Sequence, residues 1–196
     1  RKGQVMAAIA EQEKLTPELE RQIQEAQTLV AVEDLYRPYK PKRRTRAMIA
    51  KEKGLEPLAD FISLQMTETP LEQSAAAYIS EEKGVGTAEE AIAGAMDILA
   101  ERISDNAQYR TYIRNLTINQ GLLASQARDE KEKSVYEMYY QYEEPVKKAA
   151  GHRILAINRG EKEKLLTVKI EAPQEQILRY LEKQVILREN IYTGPV

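Results

Sequence analysis

Apolar residues recur along this chain mostly at helical intervals, punctuated by threonine, proline and glycine. Val5 and Ile9 place a short helix within residues 2–13. Thr16-Pro17-Glu18 is a helix start, an N-cap threonine with proline at the first helical position. Leu19, Ile23, Ala26 and Leu29 then share one face. This predicts a single helix that continues to Tyr36, where Arg37-Pro38 ends it. Thr45 caps a helix through Lys53, with Gly54 as its stop. Further helices are predicted from Pro57 (Leu58, Phe61, Ile62, Gln65) and from Pro70 (Leu71, Ala75, Tyr78, Ile79). Thr87-Ala88-Glu89-Glu90 matches the capping box, so residues 88–103 form a helix with Ile92, Ala95, Met96, Leu99 and Ile103 on its apolar face. Residues 106–120, with Tyr109, Tyr112, Ile113 and Leu116, make another, stopped by Gly121.

Beyond a charged stretch at 128–133 the period changes. Ser134–Tyr142 holds Tyr136, Tyr139, Tyr140 and Tyr142 at near-helical spacing. Such a cluster suits core packing, a stacking platform for bases, or a surface on which another domain docks. Arg153–Asn158 and Leu165–Glu171 read as two strands with a turn at 159–163, a small antiparallel β-hairpin near 153–171. Pro173 ends it, and residues 174–189 form a last helix with Ile177, Tyr180, Leu181 and Val185. The predicted class is mainly α: a multihelical array with one hairpin, in two helical subdomains at 1–120 and 121–196.

Composition narrows the chemistry. There is no cysteine, so no disulfide frame and no thiolate metal site. No apolar run approaches the roughly 20 residues that span a bilayer, so a cytoplasmic protein without a membrane partner is expected. A start at Arg1 and an end after Gly194-Pro195 are what a piece of a longer protein would show. His152 is the one histidine, so neither a Ser/His/Asp nor a Cys/His arrangement can be assembled; the residue reads as structural. The carboxylates lie in mixed patterns such as Glu161-Lys162-Glu163-Lys164, which are those of a solvated face. No enzyme, no cofactor and no metal is expected.

Charge is unevenly spread. Arg37, Lys40, Lys42, Arg43, Arg44 and Arg46 fall within ten residues that contain no acid, while the chain as a whole is −2, so the remainder sums to −8. A concentrated positive strip on an acidic protein attracts polyanions, of which nucleic acid is the commonest in cells. Pro38 and Pro41 predict an extended segment, and Tyr36 and Tyr39 add aromatic faces. The eight residues are therefore candidates for phosphate contact and stacking. They equally fit a clamp, with the tyrosines anchoring the strip and the arginines neutralising acidic helices. Lys83-Gly84-Val85-Gly86-Thr87 offers two glycines before a helix start, either a phosphate cradle or a plain turn into a capped helix.

The strip also carries a resemblance. Glu33-Asp34-Leu35-Tyr36-Arg37-Pro38-Tyr39-Lys40-Pro41-Lys42-Arg43-Arg44-Thr45-Arg46-Ala47, with Lys53-Gly54-Leu55-Glu56-Pro57-Leu58-Ala59 after it, resembles the bacterial Tex transcription accessory proteins. So do Ala77-Tyr78-Ile79, Thr87-Ala88-Glu89-Glu90-Ala91, and His152-Arg153-Ile154-Leu155-Ala156-Ile157-Asn158-Arg159-Gly160-Glu161-Lys162-Glu163. The likeness runs from about residue 15 to residue 171. It implies the helical N-terminal portion of a larger protein that also holds an RNase-H-like domain, helix-hairpin-helix elements and a C-terminal OB-fold RNA-binding domain. Two functions follow as expectations. One is a nucleic-acid-binding helical scaffold module, taking RNA or DNA phosphates on the 37–46 strip without sequence preference. The other is a protein–protein scaffold that organises the parent protein's other domains or docks on the transcription machinery.

Overall fold

A computed structural model describes residues 1–66, 69–188, 191, 192 and 194. The chain divides into two compact units. The first comprises Arg1–Arg110 with the described residues from Lys183 onward, and the second comprises Thr111–Glu182. The class is mainly α with a small antiparallel sheet, as the sequence predicts.

The first unit begins with α1 (Lys2–Ala10), α2 (Pro17–Glu25) and α3 (Leu29–Tyr36). They bury Val5, Ile9, Ile23, Val32 and Tyr36 together. The predicted single helix over 17–36 is two helices. Thr28 turns extended and its hydroxyl accepts the Ala31 N–H at 3.2 Å, starting a new helix. Leu29 is consequently 61% exposed and off the apolar face the sequence assigned to it.

A second core joins α4 (Arg46–Glu52), α5 (Glu56–Leu64), α6 (Leu71–Ala76) and α7 (Ala88–Asp105). Threonine hydroxyls cap three helices where the sequence places them: Thr16 on α2, Thr45 on α4 and Thr87 on α7. The centre of α7 is small-residue packing. Ala91, Ala95 and Ile98 are buried. A Cβ on Gly94 would sit 2.4 Å from the Leu55 side chain and 3.3 Å from Ala50, so α4 and Leu55 lie directly on the α7 backbone. Tyr192 closes this core. It is fully buried, its ring lies 6.2 Å from Phe61, and its hydroxyl donates to the Thr69 carbonyl at 2.7 Å.

The helix α8 (Ala107–Gln120) leads into the second unit, whose strands are β1 (Leu122–Ala127), β2 (Gln141–Pro145) and β3 (Leu166–Glu171). The order is β2-β1-β3, antiparallel throughout, with Ser125 opposite both Tyr142 and Val168. The predicted hairpin is corrected here. Its second strand is β3, but residues 153–158 belong to helix α9 (Gly151–Lys162). Arg153, Ala156, Ile157 and Gly160 face inward at 3.6-residue spacing, whereas Ile154 and Leu155 point out. The apolar run thus came from two faces of a helix. β3 pairs with β1 instead, a strand of Leu, Ala, Ser and Gln with little intrinsic strand preference.

Tyr136, Tyr139, Leu123, Ile157 and Leu166 form the core of this unit. Tyr136 and Tyr139 are therefore packing residues, and Tyr139 meets Tyr142 edge-on at 5.2 Å. Leu166 fits against Gly160, where a Cβ would stand 2.7 Å from its methyl. The last helix, α10 (Gln174–Val185), stacks Tyr180 on Tyr112 of α8 at 3.6 Å. It ends at Val185, short of the predicted 174–189: residues 186–188 are no longer helical, and residue 189 lies outside the described residues.

Candidate nucleic-acid interface

The 37–46 strip does not run extended throughout. The carbonyl of Tyr36 accepts N–H groups from both Tyr39 (2.9 Å) and Lys40 (3.0 Å), curling residues 37–40 into a turn off the end of α3. Arg37 keeps helical dihedrals although Pro38 follows, so the usual pre-proline preference yields to this closure. Regular structure resumes only at Thr45, extended, which caps α4. Tyr36 is buried among α1–α3, and Tyr39 packs against the same cluster, with its carbonyl accepting from Gln12 at 2.9 Å. Both tyrosines therefore anchor the strip.

The cations divide by where they point. Arg37 donates to Asp105 at 2.9 Å, and Lys42 also reaches Asp105. Lys42 lies 3.4 Å from Glu101 as well, and the Thr45 hydroxyl donates to Glu101 at 3.0 Å. Arg46 stands 3.4 Å from Asp97. Asp97, Glu101 and Asp105 are spaced by four on α7, so they form one acidic ladder along which the strip is laid. Asp105, with a side chain only 9% exposed, is the buried end of that ladder. Arg110 seals the neighbouring buried carboxylate Asp34 at 2.8 Å.

The rest of the strip faces water. Lys40 is 3.7 Å from Glu33, whose carboxyl is held below the usual range mainly by a hydrogen bond from Arg1. Arg44 pairs with Glu52 at 2.6 Å, but both side chains are more than half exposed. Arg46 is 86% exposed despite its partner. Arg43 is exposed and makes no ion pair among the described residues. Exposed pairs of this kind are worth little and exchange readily for another anion.

The glycine turn at 83–87 is a capped helix start. The Thr87 hydroxyl accepts the Glu90 N–H at 3.2 Å, and the Glu90 carboxylate accepts the Gly86 N–H at 2.7 Å. The position that a phosphate would take is thus filled from within the chain. Lys53 donates to the Gly84 carbonyl at 2.7 Å and ties the turn to the end of α4. Among the described residues no group of three or more acidic or histidine side chains is placed to hold a metal ion, and no helix is long and apolar enough to cross a membrane.

The acidic ladder is what sequence reasoning missed. Its signal was present, since Asp97, Glu101 and Asp105 recur at helical spacing, but the helix expected over 88–103 stops short of Asp105, which α7 includes. The family model described as Tex central region-like matches residues 66–192. A Bacillus subtilis (strain 168) protein called YdcI is 54% identical over 189 residues, 95% of this chain and 26% of that protein. Protein tex of Bordetella pertussis is 42% identical over 85% of this chain and 21% of its own length. The human S1 RNA-binding domain-containing protein 1 is 33% identical over 73% of this chain and 15% of its own length. The chain spans about a quarter or less of the relatives it matches. On the strength of the match of residues 66–192 to the Tex central region-like model, this chain belongs to the Tex family.

Proposed function

We propose that this chain is a nucleic-acid-binding helical scaffold module of a cytoplasmic Tex-type transcription accessory protein. Relatives named as Tex proteins, one of them as a transcriptional accessory protein, and others named for an S1 RNA-binding domain support this reading. The observation that carries the reading is the outward group Arg43, Arg44 and Arg46, three exposed guanidinium groups within four residues. Lys40 joins them. Arg37, Lys42, Tyr36 and Tyr39 hold the strip in place, so that the exposed cations neutralise phosphates without reading bases. No catalytic step enters this reading. Fluorescence anisotropy with labelled RNA and DNA, single- and double-stranded, at two salt concentrations tests it. Arg43→Glu with Arg44→Glu should weaken binding to every sequence alike and flatten the salt dependence by about one to two contacts. Unchanged affinity in that double variant would remove the strip from the interface.

The ladder on α7 favours a second reading, in which the strip is chiefly an internal clamp and the module organises the parent protein's other domains or docks on the transcription machinery. Mixing the chain with the remainder of a Tex protein at micromolar concentration tests it. Co-elution is the expected result, and separate elution sinks that reading.

A further inference from the structure

A second basic surface lies in the other unit. Residues 146–160 contain Lys147, Lys148, Arg153 and Arg159, with His152, and no acid. Extending to residue 164 adds Lys162 and Lys164 against Glu161 and Glu163, six cations to two carboxylates, a local excess of four. The structure orders this charge. Ile157 and Gly160 bury one side of α9, and His152, Leu155, Arg159 and Lys162 recur at i, i+3, i+7 and i+10 along the exposed side. Lys147 and Lys148 form a 3-10 turn just before the helix, and Arg153 fixes that turn by donating to the Lys148 carbonyl at 3.2 Å.

Internal acids do not consume this surface. Among the described residues Arg153 alone forms an ion pair, bidentate to Glu144 at 3.0 and 2.7 Å. Lys147, Lys148, Arg159 and Lys162 make none among the described residues, and all four are exposed. The nearby carboxylates are largely engaged: Glu144 with Arg153, and Glu163 as acceptor from the Tyr136 hydroxyl at 3.0 Å. Glu161 stands on the flank of α9. These cations have no ion pair among the described residues to break on meeting a polyanion, so a phosphate contact has only the ordering of their side chains to offset. Leu155, 68% exposed among them, offers an apolar contact for a sugar or base.

We infer that the exposed face of α9, with the Lys147-Lys148 turn, is a second phosphate-backbone contact for nucleic acid. It rests on the nucleic-acid reading of the module and is independent of the 37–46 strip. The surface fits a nucleic-acid strand through charge complementarity, with Lys147 and Lys148 at one end of α9 and Arg159 and Lys162 toward the other meeting phosphates.

The test compares two charge-reversal variants of the full 196-residue chain. One carries Lys148→Glu, Arg159→Glu and Lys162→Glu; the other carries Arg43→Glu and Arg44→Glu. Binding of a fluorescein-labelled oligo(U) RNA, a labelled duplex DNA and a labelled poly-glutamate peptide is followed across a salt series, with circular dichroism melts confirming that each variant is folded. The expected result is at least a fivefold loss of nucleic-acid affinity in the α9 variant, with the salt slope smaller by about two. If the α9 variant binds like the parent chain while the strip variant weakens, this inference is overturned and the proposed function stands. If the α9 variant weakens and the strip variant does not, the inference stands and the strip falls. Parent chain that binds neither nucleic acid overturns both. Peptide binding equal to nucleic-acid binding, and lost in the α9 variant, reassigns the surface to an acidic protein and overturns the inference.

Discussion

The strip at 37–46 and the segment at 146–160 look alike as strings, both basic and both free of acid, yet the fold treats them in opposite ways. Five of the six cations in the first find a carboxylate within 4 Å, three of them on the α7 ladder. In the second, among the described residues, Arg153 alone does. The first is largely a lashing between elements, with Arg43 and its exposed neighbours left over. The second keeps most of its charge on an open helix face. Linear charge density is therefore a poor guide to surface potential when helices far along the chain carry acids at four-residue spacing.

That contrast can be broken most sharply at Asp105. Replacing it with Ala leaves Arg37 and Lys42 without their shared partner. It should cost about 2 kcal/mol, a figure below that for a fully buried pair because both cations reach solvent. A urea midpoint that does not move would show that the lashing is not structural. Thr45→Val removes both the α4 cap and the bond to Glu101, and should cost about 1 kcal/mol in the same assay.

Acid sensitivity sharpens the comparison from the other unit. The Arg153 guanidinium is the main cause of a depressed carboxyl at Glu144, helped by the Tyr142 hydroxyl. A carboxylate with a depressed folded value contributes stability above its unfolded value, near 4.3, and loses that contribution as pH falls through the folded value. Glu144→Gln should therefore lower the melting temperature at neutral pH and narrow the gap to the parent chain as pH drops below about 4. A gap that stays constant with pH would separate Glu144 from acid unfolding. The smallest effect is expected at Arg159→Gln with Lys162→Gln. Neither has an ion-pair partner among the described residues to lose, and each complements the dipole at the last turn of α9 by a few tenths of a kcal/mol, so stability should fall by about 0.5 kcal/mol, read from the thermal melt. A larger loss would mean that these side chains belong to the structure after all.

The helix starts were legible because a capping threonine acts on a backbone N–H only three residues away. Thr28 followed the same rule but went unread, since apolar spacing on either side favoured continuity across it. The sheet was less legible. β1 has few residues that favour strands and is specified by its two partners, while α9 showed a run of apolar residues that only the buried Gly160 and Ile157 resolve into a helix. At the candidate interface the cations were plain in the sequence and their destination was not. Whether Arg37 meets solvent or Asp105 depends on a contact across 68 positions, which no local pattern encodes.

Tyr192 has a consequence for how the molecule is made. Its ring completes the α4–α7 core, yet it is synthesised only after every residue of the second unit. On the ribosome the second unit has its whole sequence before the first can close, so vectorial synthesis favours the order in which the insert folds while its host still exposes Leu58, Ile62 and Leu71. Closing that long loop delays the reward of non-local contact and lengthens the time during which apolar surface is open to chaperones. A nascent chain stalled before Tyr192 has left the exit tunnel should be bound by holdases, and release should follow once further synthesis carries Tyr192 clear of the ribosome.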